Sequence, residues 1–419
     1  MGYTNLRYKP SKKDLVCLFR IEPNHREHVP YGKAAEMIAG ESSIGTWTDV
    51  KTMNPRIRRM GAKVFEMRGS WVKIAYPQEL FEEGNMPQIL SSVAGNIFGM
   101  RALNKLRLED IKWPEKIMKS FRGPKFGIPG IRKLLKVTGR PLVGTIVKPK
   151  VGLGPKQHAK VAYRAWVGGC DVVKDDENLT SQGFNGFEKR VKETLKARLR
   201  AEGKTGEKKV YMPNVTAETK EMIKRARFVK RNGGRYIMVD IVTTGWAGLQ
   251  TLRDRDLNLV IHAHRAGHAA FTRGEHGISM LVVADIARLI GVDQIHIGTV
   301  VGKMVGEKGE VEHIEDEIEK SFVKKGRHTL EENWKDVKPV LAVCSGGLHP
   351  GLVPKLIEIM GRNIVVQAGG GIHGHPKGTE AGARAMRQAL DSVMEGVPLD
   401  KYAEKHEELR IALKKWGKV

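Results

Sequence analysis

Residues 168–182 read GGCDVVKDDENLTSQ. Val172 and Val173 make the apolar centre of a buried strand, and with no spacer the chain then meets Lys174, Asp175, Asp176 and Glu177. A strand that leaves a dry interior straight into a charged cluster is what the end of a barrel strand looks like, where a βα loop begins. From about residue 140 the same unit recurs eight times: a short β-branched run, a polar or glycine-rich turn, then a helical stretch. The runs are PLVGTIVKP (141–149), CDVVKDD (170–176), KVYMPNV (209–215), RYIMVDIV (235–242), NLVIHAH (258–264), DQIHIGT (293–299), VLAVCSGG (340–347) and NIVVQAGGG (363–371). Several are apolar almost throughout, as parallel strands covered on both faces must be. Between them, AETKEMIKRARFVKRNGG (217–234) and MLVVADIARLIG (280–291) read as amphipathic helices, the second stopped by its glycine.

Eight strand–helix units predict an α/β fold with a C-terminal (β/α)8 TIM barrel, in preference to an open doubly wound sheet. The first 120 or so residues have another texture. Strand-like DLVCLFRIEP, AKVFEMRG and SWVKIAYP alternate with helical YGKAAEMIAGES and MPQILSSVAGNIFGM, which predicts a small α+β domain of ferredoxin-like type. The expected division is 1–122 for this domain, 123–396 for the barrel and 397–419 for a charged C-terminal helical tail.

The chain of 419 residues carries 72 Lys+Arg against 47 Asp+Glu, a formal net charge of +25. Such a field attracts polyanions or steers phosphorylated substrates. The basic residues are scattered, as in KRVKETLKARLR, and mix with acids at helical spacing, so most are expected on solvated helix faces rather than in a nucleic-acid site. Cys17, Cys170 and Cys344 cannot form an even disulfide framework and lack CxxC spacing, which fits a reducing, cytoplasmic setting. No leader-like apolar core follows the N-terminus, and no run approaches the ~20 residues that cross a bilayer.

The chemistry is expected at the strand ends. Asp176 and Glu177 are hard oxygen donors suited to Mg²⁺. As an ammonium, Lys174 cannot ligate; as a neutral amine it could add CO2 and become an anionic carbamate ligand. On these residues alone, a salt bridge from Lys174 to Asp175 or Asp176 is the commoner arrangement, since four-residue charged clusters are frequent. Lys148 and Lys150 in TIVKPKVGLGP stand two apart, on one side of an extended segment, and suit acid–base work or oxyanion stabilisation. In HAHRAGHAAF, His264 and Arg265 end a strand, Arg being a good phosphate fork; the His-x-His pair is a weak zinc signal. In HIGTVVGKMVGE, Gly298, Gly302 and Gly306 bracket Lys303, the composition of a mobile lid with one charge. CSGGLHPG and QAGGGIHGHPKG follow the last two strands, and successive glycines there let backbone N–H groups surround an anion.

Taken together, GGCDVVKDDEN, GTIVKPKVGL, HAHRAGHA, GTVVGKMVGE, SGGLHPG and GGGIHGHPKG, with ESSIGTWTDV and AGNIFGMRALNKLRLEDI, resemble the ordered active-site motifs of the ribulose-1,5-bisphosphate carboxylase/oxygenase (RuBisCO) large subunit. The resemblance is collinear over nearly the whole chain and is greatest to the archaeal form III enzymes. It implies a Mg²⁺-dependent enzyme that carboxylates, and oxygenates, ribulose 1,5-bisphosphate through an enediolate, giving 3-phosphoglycerate, in a setting of archaeal nucleotide (AMP) breakdown. Lys174 would be the carbamylated lysine and base, with Asp176 and Glu177 as the other metal ligands. Lys148 would protonate the product carbanion, Lys150 would sit near the sugar oxygens, and His264 would assist proton transfers. Arg265, His296 and Ser345, with Gly346 beside it, would hold one phosphate. Thr46, Trp47, Gly347, Gly369 and Gly370 would hold the other. Lys303 would close over the site and pair with Glu41, while Asn96 would reach the metal-side oxygens. Glu41 and Asn96 would come from a neighbouring subunit, implying an obligate homodimer, extensible to larger assemblies of dimers, with no small subunit, nucleic acid or membrane partner. Ile146 departs from a threonine common among relatives. An enolase or isomerase acting on another phosphorylated ketose is the alternative enzyme, which Lys303 disfavours; a basic nucleic-acid-binding protein has no recognition motif behind it.

Overall fold

The computed structural model describes residues 2–302 and 308–418. They form two compact units. The first comprises Met1–Arg122, Gly267–Ile290 and Lys320–Val337; the second comprises Gly123–Ala266, Gly291–Glu319 and Lys338–Val419. In chain order the strands are β1 (Asp14–Pro23), β2 (Lys63–Arg68), β3 (Trp71–Pro77), β4 (Leu103–Lys112), β5 (Leu142–Ile146), β6 (Val172–Lys174), β7 (Val210–Met212) and β8 (Tyr236–Asp240). They continue with β9 (Val260–His264), β10 (Gly277–Ile278), β11 (Gln294–Gly298), β12 (Phe322–Val323), β13 (Glu332–Asn333), β14 (Leu341–Ser345) and β15 (Ile364–Gln367).

In the second unit all eight apolar runs become strands of one parallel sheet, ordered β7-β6-β5-β15-β14-β11-β9-β8. The edge strands β7 and β8 meet through an Asn214–Met238 bridge, with Met238 N–H donating to the Pro213 carbonyl at 2.9 Å, so the sheet is a nearly closed barrel. Leu142, Val172, Val210, Tyr236, Val260 and Leu341, each the first residue of its strand, pack in one core cluster with Ile128, Ile131 and Leu135. The helix Gly127–Leu135 therefore plugs the barrel's N-terminal end, and the open mouth is the C-terminal one. Thr219–Arg231 is amphipathic as expected, burying Met222, Ile223, Ala226 and Val229 at helical spacing.

The end of the chain differs from expectation. It is two helices, Leu399–Lys405 and Glu407–Trp416, separated by the extended residue His406. Leu409 and Ala412 are buried, and the Trp416 ring stacks on His349, their centroids 6.0 Å apart. His375 Nε2 meets the Glu408 carbonyl at 3.0 Å. These contacts fix the last helix against the loops that follow β14 and β15.

In the first unit β1 to β4 form an antiparallel sheet in the order β4-β1-β3-β2, with a helix (Tyr31–Glu41) between β1 and β2 and another (Met86–Val93) between β3 and β4. This is the split β-α-β arrangement. Two of its strands went unread: β4, whose alternation is interrupted by a bulge, and two-residue β10, which adds to β4 in parallel. β1 is buried on both faces because Leu330, from a distant segment, packs on Val16 and Leu18. That segment is held by Leu330 N–H donating to Asp110 at 2.6 Å and by Trp113 N–H donating to Glu332 at 2.7 Å. Met280–Ile290 also belongs to this unit, and here the sequence expectation fails: every one of its 11 residues is buried, Asp285 and Arg288 included, so it is a core helix and not an amphipathic one.

Asp293 staples the barrel plug. Its Oδ1 accepts from the Phe126 and Gly127 N–H groups at 2.6 and 2.9 Å, and its Oδ2 from Ile261 N–H at 3.0 Å. Asp293→Ala strands three backbone donors and is expected to destabilise the fold by roughly 3–5 kcal/mol. Asp293→Asn, retaining one acceptor oxygen, should lose less. Thermal unfolding followed by circular dichroism measures both, and equal losses would contradict this role.

Candidate active site

Strand alternation sorts the charges of KDDE. Val172 and Lys174 point into the barrel, so Asp175 must point into its wall. Lys174 is 1% exposed; its Nζ donates to the Asp175 carbonyl at 2.8 Å and faces Met238 Sδ at 3.2 Å. Glu177 Oε2 lies 3.7 Å from the same nitrogen. Burial lowers the Lys174 pKa, and nearby Lys148 adds to this while Glu177, Asp176 and Asp240 oppose it. The salt bridge weighed from sequence, Lys174 to the Asp175 or Asp176 carboxylate, is not what forms. Asp175 is fully buried in the wall, where its carboxylate accepts from Tyr211 Oη (2.7 Å), Arg190 Nε (3.1 Å) and Asn214 N–H (2.9 Å). Asp176 accepts from Lys148 Nζ at 2.6 Å. Burial pushes the Asp176 and Glu177 carboxyls up, but Lys148 with Asn178, and Lys174 with His264, hold them below the usual range.

Around this centre stand the ends of the other strands. His264 Nδ1 meets Asp240 Oδ1 at 2.7 Å, which leaves its Nε2 3.7 Å from Glu177. His296 Nδ1 meets Ser345 Oγ at 2.8 Å. The Arg265 guanidinium lies against Gly298, where a Cβ would stand 2.9 Å from Nη2, and burial pulls its pKa down to about 10. Gly346 and Gly347 both hold positive φ, 127° and 76°, so the turn after β14 requires glycine. Gly369 backs the Lys148 stem: a Cβ there would lie 3.2 Å from Lys148 Cε. Ile146 sits opposite Lys174 in the β5–β6 register.

The structure thus brings together Lys148, Lys174, Asp176, Glu177 and His264, and sets His296 against Ser345. Lys150 is exposed. Lys303 and Gly306 lie outside the described residues. Glu41, Thr46, Trp47 and Asn96 belong to the first unit; Glu41 ends a helix, and Trp47 is 91% exposed. The zinc reading of His-x-His fails, since His262 Nε2 turns to His296 Nε2 at 3.0 Å. Among the described residues no three His, Cys, Asp or Glu side chains are placed to hold a metal by themselves. Sequence reasoning missed Asp240 and Arg190, and read His262 only as half of the weak zinc pair. A lone acid ending the apolar run RYIMVD was the available signal for Asp240, whereas Arg190 is hidden among basic residues that mostly face solvent.

Charge gathered on the βα loops of a nearly closed parallel barrel, over a plugged apolar floor, defines a (β/α)8 barrel enzyme. Comparison with known proteins narrows the class. Residues 127–416 match the family described as ribulose bisphosphate carboxylase large chain, catalytic domain, and residues 2–117 match its N-terminal domain. Proteins named ribulose bisphosphate carboxylase from Methanosarcina mazei and Methanocaldococcus jannaschii are 52% and 51% identical, each over 99% of this chain and 99% and 100% of theirs. The dimeric archaeal Rubisco of Hyperthermus butylicus superposes with a TM-score of 0.94 at 44% identity, covering 100% of this chain and 99% of that one. The octameric enzyme of Pyrococcus horikoshii gives 0.91 at 48%, covering 99% and 96%. The chain belongs to the ribulose bisphosphate carboxylase large chain family and is an enzyme of that type.

The Asp175 anchor has a measurable consequence. Arg190, His158 and Asn214 overcome the burial cost and hold its carboxyl well below the usual 3.8. A depressed carboxyl stabilises the fold above its unfolded pKa and loses that contribution as pH falls. Asp175→Asn leaves Arg190 buried and unpaired and is expected to cost about 3–5 kcal/mol at neutral pH. Melting temperatures of mutant and wild type should converge below about pH 4; a constant gap down to acid pH would contradict the ion pair.

Proposed function

We propose that this chain carboxylates ribulose 1,5-bisphosphate to two molecules of 3-phosphoglycerate, with O2 as a competing reactant, as a form III enzyme serving archaeal AMP breakdown. The observation that carries the reading is a buried lysine amine beside two ionised hard carboxylates, Asp176 and Glu177, with no complete metal-binding set among the described native side chains. That donor set fits Mg²⁺ if Lys174 supplies the third oxygen ligand as a carbamate. Bound there, Mg²⁺ and the activating CO2 supply a Lewis acid for the sugar oxygens and an anionic base for the proton on carbon 3.

The chain's own residues do the rest. Burial favours the neutral form of the Lys174 amine, the form that can attack CO2. Lys148, held by Asp176, is placed to protonate the product carbanion. Asp240 orients His264 so that its Nε2 faces the sugar hydroxyls. Arg265, His296 and Ser345 receive one phosphate; the glycines of the loops after β14 and β15, Gly347, Gly369 and Gly370, receive the other with Thr46 and Trp47. Lys150 reaches the sugar oxygens when substrate is bound, and Lys303 stabilises the new carboxylate opposite Glu41. Glu41 and Asn96 complete the site of a partner chain, making the working unit a homodimer. The dimeric and octameric relatives support such an assembly.

With ribulose bisphosphate, Mg²⁺ and radiolabelled bicarbonate under anaerobic conditions, the enzyme should form acid-stable label, and Lys174→Gln should lose at least about 10³-fold in rate. Absence of label from the folded wild type, or full activity in Lys174→Gln, would sink the reading. Chelation of divalent metal should stop turnover, and Mg²⁺ should restore it. Mixing inactive Lys174→Gln chains with inactive Asn96→Ala chains should restore activity, since one site of each mixed dimer is then intact. No recovery in verified mixed dimers would place Asn96 in its own chain's site.

A further inference from the structure

Below the phosphate-facing pair His296–Ser345 the barrel interior carries polar side chains beside apolar Met238 and Val343. Four inward side chains meet there: His262 of β9, Gln294 and His296 of neighbouring β11, and Gln367 of β15, across β14, each no more than 4% exposed. Gln294 Nε2 lies 2.9 Å from His262 Nδ1, His262 Nε2 lies 3.0 Å from His296 Nε2, and His296 Nδ1 lies 2.8 Å from Ser345 Oγ. Gln367 Nε2 approaches His296 Nε2 at 3.4 Å. Among the described residues the Oε1 atoms of Gln294 and Gln367 have no hydrogen-bond partner.

These contacts admit one direction of donation. Gln294 donates to His262 Nδ1, so the proton of His262 is on Nε2. That proton goes to His296 Nε2, where Gln367 also points a donor, so His296 carries its proton on Nδ1 and gives it to Ser345 Oγ. The hydroxyl proton of Ser345 is then directed away from the barrel floor. Both amides present Nε2, which can only donate, to imidazole nitrogens, so the reverse direction would set donor against donor at His262 Nδ1 and at His296 Nε2. Burial holds both imidazoles neutral, as such a relay requires.

We propose that His262 is a positioning residue: through His296 it sets the Ser345 hydroxyl as an outward donor to the substrate phosphate. The proposal rests on the reading above that Ser345 contacts that phosphate. His262 touches no substrate, so its loss should act on binding and leave the chemistry in place.

His262→Phe keeps the ring and removes the donor. It should raise the KM for ribulose bisphosphate about tenfold, the worth of one hydrogen bond to a charged group, with kcat changed by no more than about twofold. His262→Gln, which restores an N–H near the position of Nε2, should recover most of the KM. Ser345→Ala should raise KM by itself, and adding His262→Phe to it should bring no further rise, because the relay ends on the hydroxyl. If Ser345→Ala leaves KM unchanged, the phosphate reading of Ser345 is wrong. If Ser345→Ala raises KM while His262→Phe does not, or the two effects multiply, the relay is wrong. Should His262→Phe fail to fold, Gln367→Leu removes a second donor to the same nitrogen. It should raise KM a few-fold in the wild type and not in Ser345→Ala; a rise in both would overturn the proposal.

Discussion

The barrel depends on where the side chain of Asp175 goes. A β-strand sends successive residues to opposite faces, so an inward Lys174 requires an outward Asp175. Outward here is not water but the layer between strands and helices. A carboxylate buried there is tolerable only because Arg190, Tyr211 and the Asn214 N–H converge on it. That anchor fixes the strand's exit from the barrel, and with it the positions of Lys174, Asp176 and Glu177. Three neighbouring charges of mixed sign thereby have three separate surroundings: an amine dried by the barrel, a carboxylate clamped in the wall, and a carboxylate paired with Lys148 at the mouth.

The interior changes in steps from floor to mouth. At the plugged end, strand-starting Leu, Val and Tyr residues meet the helix Gly127–Leu135. One layer higher the register pairs His262 with Gln294, and one layer above that it pairs Asp240 with His264. Polar groups so deep in a barrel are stable only when their partners are preset, which makes the middle layer a rigid support for the reactive one. Rigid support of this kind is what lets hydrogen-bond donors meet a charged substrate without rearranging.

Much of this was legible in the sequence, and the parts that were not share a physical cause. Eight parallel strands announce themselves because both their faces are dry, so the apolar runs are continuous. The strand ends announce themselves because lysine, acid and glycine follow such runs with no spacer. What pattern cannot show is which distant surface dries a segment. Met280–Ile290 looks like a surface helix interrupted by Asp285 and Arg288, yet it is buried all round in the first unit. Arg190 looks like one more solvated base in a charged helix, yet it is the cation inside the wall. His262 and His264 look like a metal pair by spacing, yet they occupy successive layers with different partners. β4 hides because its bulge breaks the two-residue period, and β10 because two residues carry no period at all.

The first unit also bears on how the chain is made. Its four main strands are complete by Lys112, but the cover on β1 comes from Leu330, and the edge strand β10 and the core helix Met280–Ile290 lie more than 150 residues beyond β4. A ribosome delivers residues in order, so this sheet emerges long before the segments that shield it. During that interval a strand apolar on both faces and an unpaired sheet edge are open to other chains, the circumstance in which nascent proteins aggregate or recruit chaperones. The interleaving therefore makes the N-terminal sheet a late product of synthesis, finished only once most of the barrel has followed it out.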